Sequence, residues 1–264
     1  MDKKWEIAQK NELKSWIDTD INYDTLIKDW NNRMKQIGFN IEELDKTKNI
    51  LDLGCGPVPI LHILPNANLM VAADPLNEEY KNKFPRKNYI IYKTFMAEKI
   101  PYEDAIFDII FCINALDHMA NPEEAFKEMI RVLKHNGLLY LEFQNTSPLS
   151  KFLARLGYKK PLTEFHPHLI SEEDIINILN NSYYNFKILM KKRRPQFSFK
   201  KIKYLLSLIF TRKKITKYEK VVSALSYGKS KFISHHIIIF IERLLYFIFP
   251  QKYSYFVNLV IQKI

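Results

Sequence analysis

The 264-residue chain contains only two cysteines, Cys55 and Cys112. Both lie in segments whose apolar composition predicts buried strand or turn positions. A disulfide framework is therefore not expected, and neither cysteine belongs to a pattern typical of a zinc site. This cysteine usage is typical of a reducing compartment, so we predict a cytoplasmic protein.

Long apolar runs are also missing. About twenty uninterrupted apolar residues are needed to cross a bilayer, and the longest apolar stretch, residues 237–249, is broken by Glu242 and Arg243. The first five residues lead into polar and charged sequence, which argues against an ordinary secretory signal. With 47% apolar residues, the chain can bury one substantial core, and we expect one elaborated domain.

Acidic residues are scarce in the last third of the chain. Residues 187–264 hold 18 lysines and arginines but only two acids, Glu219 and Glu242. Within residues 193–250, cationic clusters alternate with apolar and aromatic runs, which suits the surface of an anionic membrane leaflet. A helical cap with a solvated basic face explains the pattern equally well. Charge alone supports only non-specific phosphate contact, so no specific nucleic-acid partner is expected.

The most informative motif is an apolar run ending in two glycines, residues 50–56, with the sequence Ile-Leu-Asp-Leu-Gly-Cys-Gly. A second apolar run, residues 69–73, leads into Asp74. A buried strand that enters a glycine turn lets the backbone approach a ligand, and an acid at the tip of the next strand can accept both hydroxyls of a ribose. Pro59 occupies the position of the third glycine in the dinucleotide fingerprint, which argues against NAD.

The spelling Leu-Asp-Leu-Gly-Cys-Gly with a downstream acid resembles motif I and the ribose-binding acid of class I S-adenosylmethionine-dependent methyltransferases. Further segments follow in the family's order: a fourth strand at residues 107–112, a loop at residues 114–118, and a Leu-Lys-His-Asn-Gly turn at residues 133–137. The resemblance covers about residues 49–143. It implies S-adenosylmethionine as the cofactor and an enzyme that transfers a methyl group.

The family implies an α/β fold built on a Rossmann-like, doubly wound and mostly parallel seven-stranded sheet, with an N-terminal helical lid. We place a helical cap at residues 1–45, the methyltransferase core at residues 46–192 and 251–264, and a basic, apolar helical insertion at residues 193–250, before the last strand. Strand six is predicted at residues 184–190 and the last strand at residues 255–261. One helix is predicted at residues 23–36, and another after the capping signature at Ser171.

The resemblance assigns the cofactor to residues from several loops. Trp5 and Gln9 lie on one face of the predicted N-terminal helix, which is interpreted either as a lid over the cofactor or as a helix packed on the core. Two positions depart from the family's pattern: Val58 replaces a glycine of many relatives, and Met96 replaces an acid or amide that often contacts adenine. The predicted cofactor-binding residues are Asp52, Gly54, Cys55, Gly56, Asp74, Pro75, Ala97, Glu98, Asn114, Trp5 and Gln9.

Methylation of a hydroxyl needs a base, and four residues are candidates. Asp117 and His118 follow strand four, while His166 and His168 lie in the long segment after strand five. Ligands of open α/β sheets bind at the carboxyl ends of the strands, where these segments can meet. We predict His118 as the base, with His166 or His168 orienting the acceptor, although histidines at loop tips also often cap helices or meet solvent. The same residues could hold a divalent metal, but their spacing shows no compact ligand pattern, so no metal is predicted.

The leading hypothesis is O-methylation of a sugar, glycolipid or envelope-glycan precursor, at the inner face of the membrane if the insertion binds lipid. One alternative is methylation of a soluble phosphorylated or nucleotide-linked small molecule. Another is a catalytically degenerate scaffold at a membrane, against which the intact glycines and acids of the cofactor motif argue. The sequence names neither the acceptor nor the oligomeric state.

Overall fold

The computed structural model describes residues 3–147, 151–152, 166–195 and 255–264. They form a seven-stranded sheet with the strand order β3-β2-β1-β4-β5-β7-β6. The strands are β1 (Asn49–Leu53), β2 (Leu69–Ala73), β3 (Ile91–Lys93), β4 (Phe107–Ile113), β5 (Leu133–Asn145), β6 (Phe186–Pro195) and β7 (Tyr255–Lys263). The helices are α1 (Lys3–Asp18), α2 (Tyr23–Gln36), α3 (Asn77–Tyr80), α4 (Pro122–Val132) and α5 (Glu172–Asn180).

The first five strands pair in parallel, and β7 runs antiparallel to both of its neighbours. Helices cover both faces, because the near-continuous apolar strands of a parallel sheet must be buried on both sides. On one face, Leu51 of β1 belongs to a core that includes Phe126 of α4 and Ile175 of α5. On the other face, Ile50 belongs to a core that includes Met34 of α2. The predicted doubly wound, mostly parallel sheet is confirmed.

Local capping signals begin three of the helices. The side chain of Asn22 accepts a hydrogen bond from Thr25 N at 3.1 Å and starts α2. Asn121 caps α4 in the same way, and Ser171 forms a capping box with Asp174 at the start of α5. Each cap satisfies backbone N–H groups that have no partner inside the helix. The predicted bounds of α2 and the predicted cap at Ser171 are both confirmed.

Two strands extend five residues beyond a predicted boundary. β5 begins at Leu133 rather than near residue 138, because Leu133 already pairs with Phe107 of β4. The pairing resumes at Leu138 after a register shift, and Asn136 between them has a φ of 61°. Gly137, which closes the predicted turn, is required for space: a Cβ there would lie 2.8 Å from Leu133 Cδ1. β6 continues to Pro195, five residues past its predicted end, because it pairs with β7 over nearly its full length.

Most of the predicted insertion, residues 196–250, lies outside the described residues, as do residues 148–150 and 153–165 of the long segment after β5. The predicted last strand is present as β7, which pairs between β5 and β6. Within the described ranges, no helix combines the length and apolar character that a bilayer crossing would require.

Candidate active site

The loop after β1 contains two glycines in the left-handed region, Gly54 with a φ of 67° and Gly56 with a φ of 60°. A Cβ on Gly54 would lie 2.4 Å from the Cβ of Ala115, in the loop after β4. A Cβ on Gly56 would meet nothing within 4 Å. Gly54 therefore allows two loops to approach each other, and Gly56 leaves open space beside the backbone.

Asp74, at the carboxyl end of β2, ties this loop to the next one. Its Oδ2 accepts a hydrogen bond from Gly56 N at 3.0 Å, and its Oδ1 accepts one from Leu76 N at 2.9 Å. Burial raises the pKa of Asp74 to about 6, although the two backbone hydrogen bonds favour the charged form. Each oxygen retains capacity for a further donor, so the carboxylate can accept two vicinal hydroxyls.

Asp52 occupies a different place from the one the sequence predicts. It lies beneath the glycine loop, 2% exposed, and its Oδ2 accepts a hydrogen bond from Ile60 N at 2.8 Å. Burial raises the pKa of this carboxyl to about 7, and the charge of Asp74 acts in the same direction. Asp52 therefore shapes the loop from within the core rather than contributing to the wall of the ligand cavity.

A cavity opens between α1, α2 and the carboxyl ends of β1, β2 and β4. Most of the predicted cofactor residues line it, together with the predicted base His118. The predicted residues in the wall are Trp5, Gln9, Gly54, Cys55, Gly56, Asp74, Pro75, Ala97, Glu98 and Asn114. Phe95 and Ala97 supply an apolar side, whereas Met96 does not belong to the wall. The structure thus brings together residues that are separated by more than one hundred positions in the chain.

Helix α2 also contributes to the cavity wall, which was not predicted from the sequence. Asp29, Trp30 and Arg33 line it, and Arg33 Nη1 is 3.0 Å from Oε1 of Glu142, a carboxylate that is 2% exposed. The guanidinium also lies 5.1 Å from the ring centre of Trp30, whose Nε1 donates to Val58 O at 2.8 Å. The spacing of these α2 residues, three to four positions apart, indicates that they share one face of the helix. It does not indicate which loop that face contacts.

Helix α1 covers the cavity from the side of β4. Trp5 Nε1 donates to the carbonyl oxygen of His118 at 3.0 Å, and Gln9 Nε2 donates to the same oxygen at 3.4 Å. At the far end of the helix, Lys83 Nζ donates to the carbonyl oxygens of Trp16 and Thr19 at 2.9 and 2.8 Å. The helix is therefore attached at both ends, and its inner face forms part of the wall.

Asp117, His118 and His166 converge beside the cavity, and we name them the Asp-His-His cluster. His166 Nδ1 lies 2.7 Å from Asp117 Oδ2, and the two imidazole rings are 4.3 Å apart between centres. The ring nitrogens of His118 lie 3.8 Å from Glu12 Oε2 and 3.9 Å from Asp117 Oδ1, too far for hydrogen bonds. The predicted meeting of the two loops is therefore found in the structure.

The two histidines of the Asp-His-His cluster differ in basicity. Burial lowers the pKa of His118, although the carboxylates of Asp117 and Glu12 favour its charged form. Burial acts on His166 as well, but the hydrogen bond and the charge of Asp117 outweigh it and raise the pKa of His166. His118 is therefore neutral near pH 7, with an available nitrogen lone pair.

His168 lies against the backbone beside the Asp-His-His cluster. Its Nε2 lies 3.1 Å from the carbonyl oxygen of Ala120, and its backbone N–H donates to Asp117 O at 3.4 Å. Burial lowers the pKa of His168. The residue contacts the backbone that carries the Asp-His-His cluster and is not among the residues that line the cavity.

Residues 51–141, from β1 into β5, match a family model described as a methyltransferase domain. This part of the chain belongs to that family. The match confirms the class I resemblance, and S-adenosylmethionine is the cofactor of the domain. The methyltransferase domain includes the glycine loop, Asp74 and two members of the Asp-His-His cluster, but neither α1 nor α2.

Similar proteins extend this comparison. The chain is 31% identical over 121 residues to "Probable methyltransferase ltbC" of Aspergillus luteorubrus. The matched region covers 39% of this chain and 42% of that protein. Among solved structures, the YcgJ protein from Bacillus subtilis is 18% identical, with a TM-score of 0.53 and coverage of 87% and 97% of the two chains. The [4+2]-cyclase SpnF is 15% identical, with a TM-score of 0.57 and coverage of 98% and 96%.

The chain spans about half or less of the length of the curated relatives it matches. The two structural likenesses show the fold alone, and one of those proteins is a cyclase. The acceptor must therefore be argued from the residues of this chain.

The residues of the cavity fit S-adenosylmethionine. Asp74 has acceptor capacity for both ribose hydroxyls, and the open space at Gly56 admits the nucleoside close to the backbone. Phe95 and Ala97 offer apolar surface to the adenine, and Asn114 lies where the loop after β4 meets the cavity. The bound cofactor supplies an electrophilic methyl group on a sulfonium. The protein must position that methyl group and exclude water from it.

Proposed function

We propose that the chain is a methyltransferase that transfers the methyl group of S-adenosylmethionine to an oxygen of a hydroxylated acceptor. We propose further that the acceptor is a sugar, glycolipid or envelope-glycan precursor. The observation that carries the proposal is that the Asp-His-His cluster and the Asp74 carboxylate border the same cavity, with His118 in its wall. A group suited to proton transfer therefore stands beside the place where the cofactor fits.

The reaction needs no covalent intermediate on the protein. The acceptor oxygen attacks the methyl carbon, a C–O bond forms, and the C–S bond breaks, so that sulfur retains the electron pair and S-adenosylhomocysteine leaves. The hydroxyl proton must be removed, because a neutral hydroxyl is a weak nucleophile. The Asp-His-His cluster is the titratable group of the cavity that is best suited to receive or stabilise this proton.

The charges of the cavity support an uncharged hydroxyl acceptor over a phosphorylated one. Among the described residues, the wall carries the carboxylates of Glu12, Asp29, Asp74 and Glu98 and a single lysine or arginine, Arg33, which is already paired with a buried carboxylate. A phosphate inside this wall would meet like charge, which is unfavourable at short range. The alternative of a soluble phosphorylated or nucleotide-linked acceptor is therefore less well supported.

A lipid-linked acceptor is supported by the sequence rather than by the cavity. The basic, apolar segment of residues 193–250 suits an anionic membrane surface, and a phosphate carried by such a lipid would lie outside the acidic wall. Flotation of the full chain with anionic and neutral vesicles would separate the two acceptors, because capture by anionic vesicles is expected only for the lipid-linked one.

The first experiment is calorimetric titration of the full chain with S-adenosylhomocysteine. We expect micromolar binding by the wild-type protein. The variant Asp74→Ala should bind at least about 100-fold more weakly, because two charge-assisted hydrogen bonds of about 1.5–3 kcal/mol each are lost.

The matched control is Asp108→Ala. Asp108 also accepts a backbone hydrogen bond, from Asn49 N at 2.9 Å, but it does not line the cavity. The control should therefore retain wild-type affinity for S-adenosylhomocysteine. If the wild-type chain binds no S-adenosylhomocysteine, the enzyme proposal fails in favour of the degenerate scaffold. Where binding is found, lipid-linked and free sugars are the acceptors to test next.

A further inference from the structure

The Asp-His-His cluster has the composition and compactness of a metal site. Asp117, His118 and His166 each offer one ligand atom, and these atoms all lie within 4.8 Å of one another. A tetrahedral Zn²⁺ site with bonds of 2.0–2.1 Å places its ligand atoms roughly 3.3 Å apart. Side-chain movements that shift the ligand atoms by roughly 1 Å would therefore bring all three within bonding distance of one ion.

A second observation points to a ligand at the same place. Asp117 is 4% exposed, and its Oδ1 is buried without a hydrogen-bond partner among the described residues. An unpaired carboxylate oxygen in a buried position costs the full loss of its hydration. Nε2 of His118 is 3.9 Å from this oxygen, so a cation between Asp117 and His118 would satisfy an oxygen that no group among the described residues satisfies.

Hydrogen bonds to the backbone hold the loop that carries two of the three side chains, and the third side chain is bonded to Asp117. The other oxygen of Asp117 bonds to His166 Nδ1, and His168 N donates to the Asp117 carbonyl oxygen. Trp5 and Gln9 both donate to the carbonyl oxygen of His118. Such outer contacts fix the position and orientation of metal ligands.

We propose that Asp117, His118 and His166 bind one divalent transition-metal ion at the wall of the cofactor cavity. Two imidazoles and one carboxylate suit Zn²⁺, Mn²⁺, Fe²⁺ or Co²⁺, and three protein ligands leave coordination positions open. His118 lines the cavity, so an ion bound to it would lie at the cavity wall. No metal was expected from the sequence. The spacing of these residues could not show that Oδ1 of Asp117 is buried without a hydrogen-bond partner among the described residues.

The open position identifies what the metal would act on. An acceptor hydroxyl that binds there becomes more acidic, because a divalent ion stabilises the oxyanion. This part of the inference rests on the proposed function, whereas metal binding itself does not. His118 would then be a metal ligand rather than a free base.

The test uses the purified full chain without cofactor or acceptor, after treatment with a chelator, titrated with Co²⁺. We expect one equivalent of Co²⁺ to bind with a visible ligand-field absorption band, and Zn²⁺ to displace it. The variants Asp117→Asn and His166→Ala should bind about 100-fold more weakly and lose the band. The exposed-site variant His135→Ala, which removes an imidazole far from the three ligands in sequence, should keep both.

Two results would overturn the inference. One is a wild-type titration without the ligand-field band, and the other is a band of equal strength in Asp117→Asn, which would place the ion on other residues of the chain. Titration of each variant with S-adenosylhomocysteine shows that its cavity is folded. If the wild-type chain binds S-adenosylhomocysteine but not Co²⁺, only the metal site is refuted. If it binds Co²⁺ but not S-adenosylhomocysteine, the proposed methyltransferase function is refuted.

Discussion

Replacing Asp52 by asparagine should change how the stability of the protein depends on pH. Burial raises the pKa of Asp52 from its ordinary 3.8 to about 7. Between these pH values the folded state binds more protons than the unfolded state. The free energy of unfolding therefore falls as the pH rises from about 4 to about 7, and it levels off above that range. An asparagine does not titrate, so the variant lacks this contribution to the slope.

The size of the effect follows from the two pKa values. The interval between 3.8 and about 7 corresponds to about 4 kcal/mol of unfolding free energy, at about 1.4 kcal/mol for each pH unit. Asparagine can still accept the hydrogen bond from Ile60 N, but its amide NH₂ group enters a buried space at a pH-independent cost of about 1–3 kcal/mol. Relative to the wild-type protein, Asp52→Asn should therefore gain about 4 kcal/mol between pH 4 and pH 8.

The assay is urea unfolding of both proteins across this pH range, with the difference in unfolding free energy as the readout. Asp108→Asn provides a control of opposite sign. Burial acts to raise the pKa of Asp108, but the hydrogen bonds from Asn49 and Lys134 outweigh it and lower the pKa. The Asp108 carboxylate thus stabilises the fold at pH values above its unfolded pKa. Relative to the wild-type protein, Asp108→Asn should therefore lose stability as the pH rises. Parallel curves for Asp52→Asn and the wild type would refute the reasoning.

The remaining predictions concern the loop glycines and α1. Gly54→Ala should lower the free energy of unfolding by about 2–4 kcal/mol, since its Cβ would lie 2.4 Å from that of Ala115 and its φ is 67°. Gly56→Ala, whose Cβ meets no protein atom within 4 Å, should cost only about 1 kcal/mol in urea unfolding, yet weaken S-adenosylhomocysteine in calorimetry. Equal destabilisation by both would contradict the close approach of the loops. Trp5→Phe removes the hydrogen bond to His118 O, and we expect a loss of about 1 kcal/mol in thermal unfolding together with weaker ligand binding. Unchanged ligand affinity would show that α1 does not contribute to the cofactor site.

Much of the fold was predictable because its signals are local. The apolar runs at β1 and β2 are bounded by glycine and by Asp74, and β2 has the predicted bounds, Leu69–Ala73. The N-cap at Asn22 and the period of the following residues account for α2. The length of β6 was not predictable, because residues 191–194 are lysines and arginines that pair with β7 only through the tertiary structure.

The candidate site divides in the same way. Glycines and acids at strand ends predict a nucleoside site, since parallel strands deliver their carboxyl ends to one edge. The place of Asp52 beneath the loop could not be read from its position in the motif, because neighbouring residues of β1 point to opposite sides of the sheet. The inner face of α2, with Trp30 and Arg33, is selected by the packing of the whole helix against the sheet.

The position of β7 has a consequence for how the chain folds during synthesis. β7 lies between β5 and β6, yet it follows β6 only after residues 196–254. Until it emerges from the ribosome, β5 presents an unpaired edge and β6 has no neighbour in the sheet, a state that invites pairing with other chains. The parallel strands from β3 to β5 can assemble earlier, from contacts closer in sequence. The sheet is therefore completed by inserting a strand between β5 and β6, and the pairing of residues 255–263 covers the edge that β5 exposes until then.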